Sequence, residues 1–395
     1  MGAERGVVVV GAGPVGFLTA LGLARKGVAV TVIDAEPAIV RSPRAAVYFH
    51  TTLSILDKLG LLQEADAIGY RNSRFAMRWP ATGEVLQSDM RDNPEPGQRI
   101  THNLHFGQHL LAELVMAHLL RLPNARVLWN HRLTRLEQDE DGVRLHVETP
   151  DGLAEISADW VIGSDGARST TRRLLGLDFE GYTWPDRFVA TNIEYDFAAH
   201  GYDDANMVID PVDWAVIAKL GNDNLWRVTY GEDANLDEAA ILKRLPERFA
   251  RILPGGEPYR IDNFSPYRVH ERCATSFRVG RVLLAGDAAH ACNPCGGLGL
   301  TTGVIDADAL TSALGAVILG EASEDVLDFY AQERRRVFRE VTSPLATNFK
   351  RMLSERDPAQ RAADKAQAHS NAEGEHDAGA ANTLSAMILG VPMPV

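Results

Sequence analysis

The sequence predicts an α/β fold in which a Rossmann-like nucleotide-binding domain is interleaved with a β-sheet domain and followed by C-terminal helices. Three observations carry this. Residues 6–36 contain a complete strand, glycine turn, helix, strand and acid; strand-to-helix junctions recur at residues 160–172 and 280–290; and a run of strand-like segments lies between those two junctions. In a parallel sheet such junctions aim backbone N–H groups, and an acid that can hold hydroxyls, at one crevice. Three in one chain are hard to attribute to chance.

The first unit is the most complete. Val7–Val10 is an unbroken β-branched run that leads straight into Gly11-Ala12-Gly13-Pro14-Val15-Gly16. Leu18, Leu21 and Leu23 follow on a helical segment that ends at Gly27, and a second apolar run, residues 28–33, stops at Asp34. This is the order of the dinucleotide-binding βαβ unit. Gly11 serves the tight turn, Gly13 the approach of a pyrophosphate, and Gly16 the packing of helix on strand. The helix that starts at Pro14 offers N–H groups and a positive dipole end to phosphates. Asp34 suits a ribose diol and would repel a 2′-phosphate.

Composition narrows the class. A chain of 395 residues has room for two modest domains or one elaborated one. A formal charge of −13 argues against nucleic acid or an anionic membrane as the main partner. Three cysteines, Cys273, Cys292 and Cys295, make no disulfide framework, which points to a reducing cytoplasm. The only apolar N-terminal stretch is the βαβ unit itself, broken by its glycines and Pro14, so neither a signal peptide nor a membrane span is expected. No internal repeat is visible.

After Asp34 come Arg41 and Arg44, which either neutralise a diphosphate or form a solvated basic loop; the residues alone leave both open. Leu53, Leu56 and Leu59 mark a helix stopped by Gly60. Residues 73–79 and 84–88 read as strands, and residues 92–98 as a polar loop. An amphipathic helix is predicted over residues 107–119. His102, His105 and His109 fall near it at metal-like spacing with Glu113, but two precede the helix, which favours structural histidines and no metal. Residues 127–128, 133–136, 143–147 and 155–156 read as a strand meander.

The three motifs GAGPVG, DGARSTTRRLLG and GDAAHACNPCGGLGLTTGVIDA, in this order, make the chain resemble the FAD-dependent aromatic hydroxylases of the p-hydroxybenzoate hydroxylase type, the class A flavoprotein monooxygenases, over about residues 6–345. The resemblance implies an FAD-binding domain in three parts, residues 1–72, 101–180 and 276–350. Substrate-domain strands would occupy residues 73–100 and 181–275, with a helical or flexible tail over residues 351–395. It implies that Gly11, Gly13, Pro14 and Gly16 cradle the ADP half of FAD, with Asp34 on its ribose. Arg44 would lie near the pyrophosphate and Gln108 near the ribityl chain. Asp165 and Gly166 would belong to the motif that serves FAD and the nicotinamide cofactor. Gly286 would admit the diphosphate and Asp287 would bind a ribityl hydroxyl. The helix start at Gly297, Gly299 and Leu300 would face the flavin edge that gains negative charge on reduction. Pro294 would lie against the substrate ring.

The segment between the second and third motifs is then the substrate part, with strands over residues 188–195, 206–209, 214–220, 225–230 and 259–264 and a helix over residues 237–249. Strand alternation puts Trp214, Val216, Ala218 and Leu220 together, and likewise Trp226, Val228 and Tyr230, with Lys219 and Arg227 opposite. These apolar residues are either sheet core or a face that closes over the flavin and holds an aromatic ring. In the second case Trp214 and Trp226 line the pocket, Tyr230 is the polar handle and candidate catalytic group, and an apolar pocket favours a neutral phenol.

The activity implied is a monooxygenase that uses NADH or NADPH and O2 to hydroxylate an aromatic or heteroaromatic, phenol-like compound through a C4a-hydroperoxyflavin. A polycyclic, tetracycline-type hydroxylase or epoxidase is the alternative. A halogenase is disfavoured by the missing W-x-W-x-I-P signature, and a flavin-binding sensor would share the FAD motifs without turnover. No general base can be named: Ala46 stands where some phenol-hydroxylating relatives carry histidine. Thr301 departs from the asparagine usual in relatives. Only one G-x-G-x-x-G unit follows a strand, so the nicotinamide would use a surface groove. Cys292 and Cys295 form a C-x-x-C that is read as chance spacing. Residues 324–356 read as a long helix, and residues 357–395, with His369, Glu373, Glu375 and His376, as a solvated or partly ordered tail lacking any thioredoxin-like extension. A homodimer is an assembly open to the chain.

Overall fold

The computed structural model describes residues 6–43, 45–92, 99–374 and 387–395. Arg44, Glu375 and His376 lie outside these, as does most of the polar loop at residues 92–98, and the Glu373 side chain is likewise outside the description.

The chain begins with β1 (Val7–Val10), α1 (Pro14–Arg25), β2 (Val30–Ile33), β3 (Val47–Tyr48), α2 (His50–Lys58) and α3 (Leu62–Ile68). It continues through β4 (Tyr70–Asn72), β5 (Arg74–Trp79), β6 (Glu84–Asp89), β7 (Asn103–His105), α4 (Gln108–Leu119) and β8 (Ala125–Leu128). Then come β9 (Arg132–Asp139), β10 (Gly142–Thr149), β11 (Gly152–Ala158), β12 (Trp160–Gly163), α5 (Thr170–Leu174) and the long β13 (Phe179–Glu194). The segment that follows holds β14 (Ala205–Val208), β15 (Ala215–Lys219), β16 (Leu225–Asp233), α6 (Glu238–Ile252) and β17 (Arg260–Ala274). The chain closes with β18 (Arg278–Val279), β19 (Val282–Leu284), β20 (His290–Ala291), α7 (Leu298–Ile318), α8 (Asp325–Val337), α9 (Ser343–Ser354) and α10 (Pro358–Gly374).

Two sheets dominate. The first has the order β18-β19-β12-β1-β2-β8 and is parallel except at β18. Its central strand β1 is fully buried, as expected of an all-apolar strand covered on both faces. The ends of β1, β12 and β19, where the three motifs begin, are neighbours in this sheet. The second is an eight-stranded, mostly antiparallel sheet, β20-β17-β13-β16-β15-β14-β5-β6. Helix α6 covers one of its faces, where Ile241, Leu245 and Phe249 pack on Val189, Trp226, Val228 and Tyr230.

Several expectations are corrected. Residues 127–128 do not start the meander: β8 is an edge of the parallel sheet, and only β9, β10 and β11 form the three-stranded meander. The strand predicted over residues 259–264 runs on to Ala274, because β13 and β17 pair along almost their whole length. The long helix predicted over residues 324–356 runs without a break from Asp325 to Ser354 as α8 and α9, with a π turn at Phe338–Thr342 between them. Pro344 enters the first turn of α9 there, and a residue without an N–H cannot continue the α ladder. In the tail, expected to be helical or flexible, residues 358–374 form a helix, α10, which returns to the sheet: His369 stacks on Trp79 at 6.0 Å and its Nε2 meets Glu84 Oε1 at 2.6 Å.

Candidate active site

The glycines of the first motif separate by what surrounds them. Gly11 has φ +110°, and a Cβ there would stand 2.5 Å from the Ser164 carbonyl oxygen. A Cβ on Gly16 would collide with the Gly11 carbonyl, so both positions are closed by the chain itself. Among the described residues nothing lies within 4 Å of the Gly13 Cβ position. Gly13 is the N-cap of α1, and no side chain caps that helix. Asp34 ties the turn to β2: its Oδ2 accepts the Ala12 N–H at 2.7 Å and its Oδ1 the Glu36 N–H at 2.8 Å.

The second motif is stitched to the first, since the Ser164 hydroxyl donates to the carbonyls of Val10 and Gly11 at 3.0 and 3.2 Å. Asp165 turns inward. Its carboxylate accepts the Ser169 hydroxyl at 2.5 Å, the Thr170 N–H at 2.7 Å and the Thr171 N–H at 3.0 Å, so it holds the start of α5 in place. Gly166, at φ +76°, makes the turn that allows this. Arg172, which sequence reading passed over, sends one N–H to the Ala288 carbonyl and another to Ala167.

In the third motif Gly286 has φ +59° and packs against Val15 of the first. Asp287 is exposed between buried neighbours. Beyond it, Glu271 of β17 accepts the backbone and side-chain N–H groups of Asn293 at 2.8 and 2.5 Å, and the Ser343 hydroxyl at 2.8 Å. Burial raises the Glu271 pKa. These bonds fix the loop carrying Pro294, whose carbonyl accepts the Gly297 N–H at 3.0 Å. Gly296 and Gly297 are left-handed at φ +89° and +68°, with the rings of Phe349 and Phe49 where side chains would go. Gly297 is thus the uncapped N-cap of the 21-residue helix α7, in which Gly299 and Leu300 form the first turn. Thr301 turns its hydroxyl back to the Gly297 carbonyl at 3.0 Å.

Comparison with known proteins decides the family. A family model described as an FAD binding domain matches residues 4–344. A para-nitrophenol 4-monooxygenase of Pseudomonas sp. strain WBC-3 is 49% identical over 364 residues, 91% of this chain and 90% of the relative. A 6-hydroxy-3-succinoylpyridine 3-monooxygenase of Pseudomonas putida is 42% identical over 363 residues, 91% and 92% of the two chains. The crystal structure of a p-nitrophenol 4-monooxygenase from Pseudomonas putida superposes with a TM-score of 0.88 at 47% identity, covering 98% of this chain and 96% of the other. The chain belongs to the FAD-dependent aromatic monooxygenases.

FAD is therefore the cofactor of this monooxygenase, and reduced nicotinamide and O2 are its co-substrates. The residues present fit the flavin. Open space at Gly13 and the uncapped starts of α1 and α7 are what a diphosphate and an electron-rich ring edge require. Gln108, at the first turn of α4, is half-buried.

On the substrate side the structure corrects the sequence reading. Register pairs Ala215 with Tyr230 and Ile217 with Val228, which puts Trp226 and Tyr230 on the α6 face. Trp214 lies on the other face, with Phe188, Met207, Tyr267 and, from the third motif, Cys295. The two apolar sets are out of phase, because alternation fixes the faces within a strand and register fixes them between strands. Tyr230, buried beneath α6, is not placed to act at the crevice, and burial raises its pKa. Lys219 shares the register of Trp226.

Arg227 therefore lies on the Trp214 face, the one that packs with Cys295 of the third motif. It is 8% exposed, its Nε donates to Asn192 at 2.6 Å, and Tyr48 and Tyr267 lie within electrostatic reach. Burial pulls its pKa down to about 10. Tyr48 stacks on Phe106 with ring centroids 4.3 Å apart. The expected wholly apolar pocket is thus wrong at this point. The signal was an arginine set between Trp226 and Val228 in β16.

Two of the three histidines, His102 and His105, have structural partners. His105 lies between the Asn72 amide and the Lys219 carbonyl, and His102 meets Asp66 at 3.1 Å. No metal-holding cluster and no helix long and apolar enough to cross a membrane occur among the described residues. Cys292 and Cys295 are free thiols, and burial raises the pKa of both.

Proposed function

We propose that this monooxygenase hydroxylates a single-ring phenol or hydroxypyridine at the carbon that bears a polar substituent para to the ring hydroxyl. The observation that carries the reading is the buried Arg227 guanidinium, bonded to Asn192 and within electrostatic reach of Tyr48 and Tyr267 on the sheet face that packs with Cys295 of the third motif. A desolvated cation there favours a phenolate or an anionic substituent over a neutral hydrocarbon. The names of the Pseudomonas relatives agree: in both, the oxygenated carbon carries the substituent, nitro or succinoyl, and lies para to the hydroxyl. They favour a single ring over a polycyclic substrate.

Redox and oxygen-activating chemistry is supplied by bound FAD with NADH or NADPH and O2. The chain's own part is to bind, orient and exclude water. We assign Gly11, Gly13, Pro14, Gly16 and Asp34 to the ADP half, Gly286 and Asp287 to the diphosphate and ribityl chain, and Gln108 to the ribityl region. Gly297, Gly299 and Leu300 would present the start of α7 to the flavin ring. Trp214 and Pro294 would contact the substrate. Asp165 is assigned to holding α5, with Gly166 making its turn. Three free thiols agree with a reducing cytoplasm as the compartment.

The test is aerobic oxidation of NADH and NADPH by the purified holoenzyme with para-nitrophenol, hydroxypyridines and polycyclic phenols, scored with hydrogen peroxide and nitrite. The reading expects stimulation by single-ring compounds, little peroxide, and nitrite from para-nitrophenol. A product that keeps its nitro group would refute the position of attack, and turnover ending wholly as peroxide would refute the hydroxylase.

A further inference from the structure

We propose that residues 387–395 act as a strap that holds the FAD-binding turn at Gly286–Asp287 in shape, through Arg334 and Asp306. The inference rests on the assignment of that turn to FAD made above.

The connection is continuous and buried. Arg334 of α8 is 1% exposed, and its Nη1 donates to the carbonyls of Ile388 and Leu389 at 3.1 and 3.0 Å. Its Nε donates to Asp306 Oδ1 at 2.8 Å. Asp306 of α7 is fully buried, and its Oδ2 accepts the Gly286 backbone N–H at 3.0 Å and lies 2.6 Å from His290 Nε2. One carboxylate thus anchors both ends of the Gly286–His290 segment. Its second partner, Arg334, is held from behind by the strap.

The strap is itself fixed. Ile388 is buried in the main core. The Val391 N–H donates to Glu333 Oε1 at 2.8 Å, and Arg336 holds Glu333 through two 2.8 Å bonds. Gly390 has φ +72°, and a Cβ there would stand 2.7 Å from both Glu333 and Val337. A buried guanidinium needs acceptors for its donors. Without the strap Arg334 loses two of them and gains access to water, so nothing holds it on Asp306, and the left-handed turn at Gly286 is left with a looser anchor.

The test uses the full chain with residues 387–395 deleted, reading the FAD dissociation constant from recovery of free flavin fluorescence. The deletion should loosen FAD at least about tenfold, within the usual range for coupling between separate sites. Gly390→Val should shift it the same way by a few fold, and decides the matter if the deletion does not fold. Arg334→Met combined with the deletion should be no worse than the deletion alone, since both break one connection. Val391→Ala, an exposed side chain, should change nothing. FAD affinity within twofold of the parent in the deletion, or in Gly390→Val where the deletion cannot be studied, would overturn the strap, provided Asp287→Ala does loosen FAD. If Asp287→Ala also leaves affinity unchanged, it is the assignment of the turn to FAD that fails.

Discussion

Arg172 and Ala288 lie 116 positions apart and meet through a 2.8 Å hydrogen bond from guanidinium to carbonyl. The same side chain reaches Ala167 and lies over the Phe179 ring at 3.7 Å, so it joins the second motif to the third from inside the core. Arg172→Met should cost about 3 kcal/mol in urea unfolding, because the buried Ala288 carbonyl and the half-buried Ala167 carbonyl lose their donor. Arg172→Lys should recover little, since an ammonium cannot reproduce the planar fork. A loss under about 1 kcal/mol would show that the two motifs hold their places independently.

The glycines of the first motif should divide experimentally. Gly11→Ala meets the Ser164 carbonyl in a left-handed conformation, and should destabilise the apoprotein by about 1–3 kcal/mol. Gly13→Ala has φ −83° and open space, and should leave apoprotein stability within about 0.5 kcal/mol. Its effect should fall on FAD, with affinity lowered about tenfold. Thermal melts of the apoprotein and flavin titrations check both, and an unchanged FAD affinity in Gly13→Ala would remove that residue from the cradle.

Arg227 and Tyr230 should behave oppositely. Tyr230→Phe removes a buried hydroxyl beneath α6 that has no hydrogen-bond partner among the described residues, and should leave turnover within about twofold and stability unchanged or higher. Arg227→Met should raise KM for para-nitrophenol by about tenfold or more, the size of one lost charge-assisted contact. Steady-state kinetics on the two variants separates the faces of the sheet. A large defect in Tyr230→Phe would reverse the assignment.

His105 supplies a pH signature. It is fully buried, and burial pulls its pKa from 6.5 down to about 4. The unfolded chain binds the proton more tightly, so the contribution is fully present above about 6.5 and is lost as pH falls toward 4. The shift amounts to about 3 kcal/mol between those limits. Replacing His105 with Gln should flatten that part of the stability curve in urea titrations at stepped pH. An unaltered slope would place the acid sensitivity elsewhere.

The motif glycines, the order of strand, turn and helix, and the parallel sheet were legible because each depends on residues close in sequence. The amphipathic α4 and the strands of the second sheet followed from periodicity for the same reason. Trp226 and Tyr230 were misplaced because one strand's alternation carries no information about its neighbour's phase. Asp165 looked like a ligand group from its place after a strand, yet three local donors, Ser169, Thr170 and Thr171, engage it first. Glu271 and Arg334 left no local signal, since their partners lie in distant segments.

By itself, the sequence determined the βαβ unit, the three junctions that meet at one crevice and, through them, a flavin-dependent chemistry. Such motifs are short-range: a glycine with positive φ, an uncapped helix start and an acid at a strand end are specified within a few residues. Tertiary structure alone decided which face of the second sheet packs with the third motif, and so exchanged an apolar wall for Arg227. It also decided that Arg172 and Arg334 brace the motifs. Register and buried ion pairs join residues far apart in the chain, and are set by which surfaces pack together.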